Sequence, residues 1–118
     1  MIITREDLDA GRVDFSDIAE PGAAPLPPVH PGDILQDWLA ELGMSANALA
    51  KAIRVPHNRI TAILAGRRAV TADTALRLAR YLGTSPDLWL GLQLDYDREV
   101  AERELGERIA REVTPRAA

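Results

Sequence analysis

The sequence contains no cysteine, and its aromatic residues number five in 118: two Trp, two Tyr and one Phe. Without cysteine there is no disulfide framework, no thiolate metal site and no thiol nucleophile. With aromatics at 4% and hydrophobic residues at 47%, the core must be built from Ala, Leu, Ile and Val. That mixture favours close-packed helices, because Ala and Leu lead the helix scale and the sheet-favouring aromatics are scarce. Histidine is nearly absent too: His30 and His57 offer no spacing for a shared metal. No run approaches the ~20 apolar residues that cross a bilayer. The start, "MIITREDLDAG", lacks the basic-then-apolar pattern of a signal peptide, so the expected location is cytoplasmic, away from any membrane. There is no glycine-rich phosphate loop and no serine elbow. Asp95 and Asp97, two apart, project to different sides of a helix. The expectation is a non-enzyme with no cofactor and no metal, and a length of 118 residues suits one compact domain.

The most informative scarcity is local. The chain is acidic, with a formal net charge of −4, yet residues 45–68 hold Lys51, Arg54, Arg59, Arg67 and Arg68 and not one Asp or Glu. Residues 1–44 carry net −7 and residues 69–118 net −2. A basic island in an acidic chain is what a small phosphate-binding surface produces, whereas a nonspecific polycation is basic throughout.

What is present reads as helices. Residues 1–29 form an acidic, proline-rich arm, in which Thr4 and Gly11 could bound a short helix and Pro21–Pro28 force extended backbone. Residues 30–97 hold the domain. A first helix opens at Pro31, carries Ile34, Leu35, Trp38, Leu39 and Leu42 on one stripe, and closes at Gly43. Ser45 caps a second, with Ala48, Leu49, Ala52 and Ile53 inward. A third starts near Pro56, a residue suited to a first turn, turns Ile60, Ile63 and Leu64 inward, and ends at Gly66. Thr71 caps a fourth, packing Ala75, Leu76, Leu78, Ala79 and Leu82 before Gly83, and Ser85-Pro86 opens a fifth with Leu88, Trp89 and Leu92 inward. Residues 98–118 make a charged C-terminal helix and tail. The pairs Glu99–Arg103, Glu104–Arg108 and Glu107–Arg111 are spaced for it, and Val100, Leu105, Ile109 and Val113 form a thin apolar seam. So narrow a stripe cannot bury itself, which calls for another helix from this chain, a second copy or a different protein.

The second and third helices carry the function. Ala50, Ile53, Val55, Ile60 and Ile63 follow the pattern Ala-x2-Ile-x-Val-x4-Ile-x2-Ile. This resembles the helix-turn-helix of phage-repressor-like proteins, whose second helix enters the major groove. With Ile60, Ile63 and Leu64 inward, Asn58, Thr61 and Ala62 lie on the opposite face, Arg59 flanks it and His57 projects from the helix start. Asn and Arg pair well with adenine and guanine edges, and Ala suits a thymine methyl, so these five are the base-reading candidates. Ser45, Asn47, Lys51, Arg67 and Arg68 are the phosphate-contacting candidates.

The resemblance extends through "HPGDIL", "VPHNRI", "GRRAVTADTALRLARYLGTSP" and "WLGLQLDYD", all within residues 30–97. This segment looks like a HigA-type antitoxin of the VapI-like branch. The resemblance implies an all-α, five-helix DNA-binding domain that dimerises, binds a palindrome in its own promoter and neutralises a RelE-like toxin that cleaves messenger RNA. Asn58, Arg59, Thr61 and Ala62 match the family's groove-facing segment, and Asn47, Arg67 and Arg68 its backbone-contacting positions. Two departures stand out. Ala46 replaces a frequent Gln, so one phosphate contact is expected to be missing. Arg54 takes a turn position usually held by Gly or Asn, so either it adopts a left-handed conformation or the turn differs. The alternatives are a stand-alone helix-turn-helix repressor with no toxin partner, and a helix pair serving only protein contacts, against which the uninterrupted positive charge argues.

Overall fold

The computed structural model describes residues 26–117, which form five helices and no strand. They are α1 (Pro31–Leu42), α2 (Ala46–Ile53), α3 (His57–Leu64), α4 (Ala72–Leu82) and α5 (Pro86–Glu112). The expected short helix between Thr4 and Gly11 lies outside the described residues.

Local chemistry sets the helix ends. His30 caps α1: its Nδ1 accepts the Gly32 N–H at 2.8 Å, and its own N–H donates to the Asp33 carboxylate at 3.2 Å. This reciprocal pair satisfies two amides that the first helical turn otherwise leaves open. Ser45 and Ser85 cap α2 and α5, their hydroxyls accepting the Ala48 and Leu88 N–H groups at 3.1 and 3.2 Å. Thr71 precedes α4 without such a bond to the backbone; its hydroxyl lies 3.4 Å from that of Thr74 instead. Pro56 stands just before α3 rather than within its first turn and leaves that start without a side-chain cap.

The chain turns back after α1, α2, α3 and α4 through left-handed residues: Gly43, Arg54, Gly66 and Gly83. Arg54, with φ 59° and ψ 51°, is the non-glycine member of the series. The Val55 N–H reaches the Ala50 carbonyl at 3.0 Å across it, the bond that closes a helix through a left-handed residue. The first of the two alternatives for this turn therefore holds.

Helix α2 packs on α3 and α4, α1 on α3 and α5, and α4 on α5. The core runs from Leu35 and Leu39 through Leu49, Ala50, Ile53, Ile60 and Ile63 to Val70, Ala75, Leu78 and Trp89. Each fully buried Leu or Ile contributes ~1.5–3 kcal/mol relative to exposure. The Trp89 indole N–H donates to the Thr84 hydroxyl at 2.9 Å, which removes the cost of burying it. Where α1 meets α3 the backbones touch. A Cβ on Gly32 would lie 2.0 Å from the Ile63 carbonyl oxygen, so only glycine fits.

Several apolar positions differ from the expected inward faces. Leu42 is 51% exposed and Leu76 58%, and Leu88 and Ala52 are exposed as well. They lie at the right helical phase but at edges where no neighbouring helix arrives. Along the distal part of α5 the ion pairs are Arg98–Glu102 and Arg108–Glu112, base before acid, in place of the three acid-first pairs. Arg103 turns instead to the Leu26 carbonyl, so residues before α1 run beside α5. No helix among the described residues is long and apolar enough to cross a membrane.

Candidate nucleic-acid interface

The helix pair α2–α3 meets through Ala50, whose small side chain is buried at the crossing beside Ile53 and Ile60. With Ile60 and Ile63 fully buried, the periodicity of about 100° per residue turns Asn58 directly away from the core, with Thr61 and Ala62 on either side of it. His57 and Asn58 are exposed, and Thr61 and Ala62 are half-buried. The Thr61 hydroxyl donates to the Asn58 carbonyl at 3.2 Å, which fixes its rotamer and leaves its oxygen lone pairs outward.

Around α3 the cations are distributed unevenly. Lys51 and Arg54 are exposed on α2 and its turn, and Arg67 and Arg68 on the loop after α3. None of these four makes an ion pair or side-chain hydrogen bond among the described residues. That loop is itself held firmly. The Arg67 N–H reaches the Ala62 carbonyl at 2.9 Å and the Gly66 N–H the Ile63 carbonyl at 3.0 Å, through a left-handed Gly66. Beyond it, the Val70 N–H donates to the buried Gln93 amide oxygen at 2.8 Å, and the Gln93 amide donates in turn to Asp97 at 2.8 Å. On the other flank Asn47 is exposed. Ser45 caps α2 through its oxygen, with its O–H proton still available to an anion.

Arg59, the fifth cation, is committed. Its Nη1 donates to Asp73 of α4 at 2.9 Å, its side chain is only 24% exposed, and its Nε is buried with no acceptor. Asp73 is also gripped by Arg77, whose Nε lies 3.1 and 3.2 Å from the two carboxylate oxygens and whose Nη1 donates to the Ile53 carbonyl at 2.9 Å. The Arg77 guanidinium, with Arg59 beside it, holds the Asp73 carboxyl below the usual carboxylate range, so it remains charged at neutral pH.

The ten predicted site residues thus lie on α2, α3 and the two connections beside them. Three residues that shape this surface were missed. Asp73 and Arg77 are four apart on one helix face, a local signal for their pair, but nothing in the sequence links Asp73 to Arg59, fourteen positions away. His30 was considered only as a metal ligand. It is buried, its ring meets Tyr96 edge-on at 4.8 Å, and it closes the α1–α3–α5 junction. Among the described residues no cluster of His, Asp or Glu could hold a metal ion.

A family model described as helix-turn-helix matches residues 35–89. Virulence-associated protein I of Dichelobacter nodosus is 46% identical over 84 residues, spanning 70% of this chain and 78% of that protein. Among solved structures, an addiction module antidote protein of a HigA family from Coxiella burnetii superposes with a TM-score of 0.75 at 53% identity, over 77% of this chain and 100% of that one. The Pseudomonas aeruginosa antitoxin HigA, solved with the higBA promoter, gives a TM-score of 0.74 at 37% identity over 76% of this chain and 99% of its own. With the five-helix fold, the left-handed turns and these relatives in agreement, the chain belongs to the HigA-type, VapI-like family of antitoxins, built on a phage-repressor-like helix-turn-helix domain.

Proposed function

We propose that this protein is an autoregulatory antitoxin: a homodimer that binds a palindromic operator in its own promoter, represses transcription, and neutralises a RelE-like mRNA-cleaving toxin by direct binding in the cytoplasm. The observation that carries the DNA half is the set of four cations, Lys51, Arg54, Arg67 and Arg68, that have no partner among the described residues and lie on α2, its turn and the loop after α3. Charge left without a protein partner at the rim of a helix-turn-helix is what phosphate neutralisation needs. In this reading Asn58, Thr61, Ala62 and His57 meet base edges, and Arg59 joins them when it leaves Asp73. Ser45, Asn47, Lys51, Arg67 and Arg68 hold the backbone.

The toxin half is supported by the antitoxin relatives and by the uncovered seam on α5. Leu105, Ile109 and Val113 are 41, 49 and 60% exposed, and such a stripe requires a partner.

The test is a fluorescence-anisotropy titration against the upstream region at several salt concentrations. Replacing Arg67 and Arg68 with Ala should weaken binding to all duplexes alike and reduce the salt slope by about two. An unchanged slope refutes their phosphate role, and no affinity of the intact protein for any duplex at low salt refutes the reading as a whole. Whether a small protein encoded by the adjacent gene co-purifies separates the antitoxin from a stand-alone repressor.

A further inference from the structure

The basic segment contains no acid over 24 residues, but the fold returns one to it. Asp73 comes from α4 and lies against Arg59 on α3, beside a cleft of about 600 Å³ that Arg54, Arg77 and Arg80 also line. One carboxylate therefore bonds two guanidiniums, those of Arg59 and Arg77, and shares a cleft with two further arginines. From the geometry of this cluster we infer that Asp73 is a specificity-determining residue, which competes with DNA for Arg59 and so makes the Arg59 contact conditional on the base it meets. The inference rests on the DNA-binding reading above and assigns this one residue its part in it.

The cluster has the features such a competitor needs. The bond is strong enough to hold Arg59 against the protein: Nη1 stands 2.9 Å from Asp73, and the side chain is about three-quarters covered. It is also exchangeable from the carboxylate side, because the Asp73 side chain is 56% exposed, and ion pairs with a partner in solvent are weakly held. The buried, unpartnered Arg59 Nε adds a donor that the bound arrangement leaves unsatisfied, which favours departure when a better acceptor is offered. Guanine offers one, since its O6 and N7 accept two parallel N–H bonds from a guanidinium. Other base edges offer less than the carboxylate does.

Arg77 completes the device. It holds Asp73 through both oxygens and is itself fixed to the Ile53 carbonyl. When Arg59 leaves, Asp73 stays in place with its charge still matched. On mismatched DNA Arg59 remains on Asp73, and the unconditional phosphate attraction that a free arginine gives every duplex is withheld.

The experiment compares Asp73→Asn with the intact protein on the operator and on a scrambled duplex across 50–200 mM salt. The expected result is tighter binding to both, roughly fivefold on the scrambled duplex and less on the operator, with a salt slope steeper by about one. The ratio of operator to scrambled affinity should fall correspondingly. In an Arg59→Ala background the Asp73→Asn effect on the ratio should vanish, leaving only the uniform gain that a lost carboxylate gives every duplex. If Asp73→Asn leaves the ratio unchanged, or weakens both duplexes without steepening the slope, Asp73 is a structural strut and the inference is overturned. Should melting curves show that Asp73→Asn does not fold, Arg59→Ala alone decides. It should lower operator affinity and spare the scrambled duplex, and equal losses on both overturn the inference. An intact protein that binds no duplex sinks the DNA reading together with this inference, whereas normal operator binding with an unmoved ratio sinks the inference alone.

Discussion

Arg54 adopts a backbone conformation that costs an L-residue about 1–2 kcal/mol relative to glycine, and it does so at the one turn that separates the two helices of the DNA-binding motif. Its side chain is exposed and unpaired among the described residues, so contacts within the fold do not account for the strain. Replacing Arg54 with Gly should therefore stabilise the domain by roughly 0.5–1 kcal/mol after the entropic cost of glycine. The measurement is a rise in the urea midpoint, and a loss of stability would mean that the arginine makes a compensating contact. On α3, Asn58→Ala should cost roughly 1–3 kcal/mol of operator affinity and relax preference at one base pair per half-site, read by titration against single-base operator variants. At this scale part of the local chemistry was legible, while the His30 cap and the Asp73–Arg77 pair, though local, were not read. Ser45 and Ser85 announce their caps, and Gly43, Gly66 and Gly83 their stops, because each bond spans three or four residues. Asp73 holding Arg59 was not, since that pair exists only after α3 and α4 have been set side by side.

Among the elements, α5 departs furthest from an ordinary core helix. Its first turns supply Trp89 and Gln93 to the interior, while beyond residue 100 every residue but Gly106 is exposed. A helix of 27 residues runs ~40 Å, so its distal part extends past the other four. The seam of Val100, Leu105, Ile109 and Val113 runs along that extension. Replacing Leu105 and Ile109 with Glu should leave the helix-turn-helix folded by circular dichroism and abolish co-purification of the proposed toxin. Retained co-purification would show that the seam is not the toxin contact. Hydrophobic periodicity located all five helices, because each has an apolar stripe facing a neighbour. It misjudged Leu42, Leu76 and Leu88 because periodicity reports which way a side chain points, and not whether another helix arrives there. Two of the acid-first pairs of α5 failed for a related reason: Arg103 and Arg108 each have a glutamate four residues before and four after, and spacing does not choose between them.

For the whole molecule, the proposed function takes two copies. A two-fold dimer presents its α3 helices about 34 Å apart, one turn of the duplex, to read an inverted repeat. Footprinting should then show two protected half-sites with that centre-to-centre spacing. A single protected half-site would contradict the symmetric arrangement. The acidic arm and the charged tail were separated from the domain by composition alone, and α5 runs without interruption from the domain through residue 112.

Helix α3 is gripped where it crosses α1: its Ile63 carbonyl rests against Gly32 with no room for a methyl group between them. A probe clamped in this way has little freedom to follow an irregular groove, so the compliance needed for a close fit must come from the duplex. The base pairs midway between the proposed half-sites should consequently govern affinity through how easily they bend: a supple TA or CA step there should bind better than a stiff A-tract.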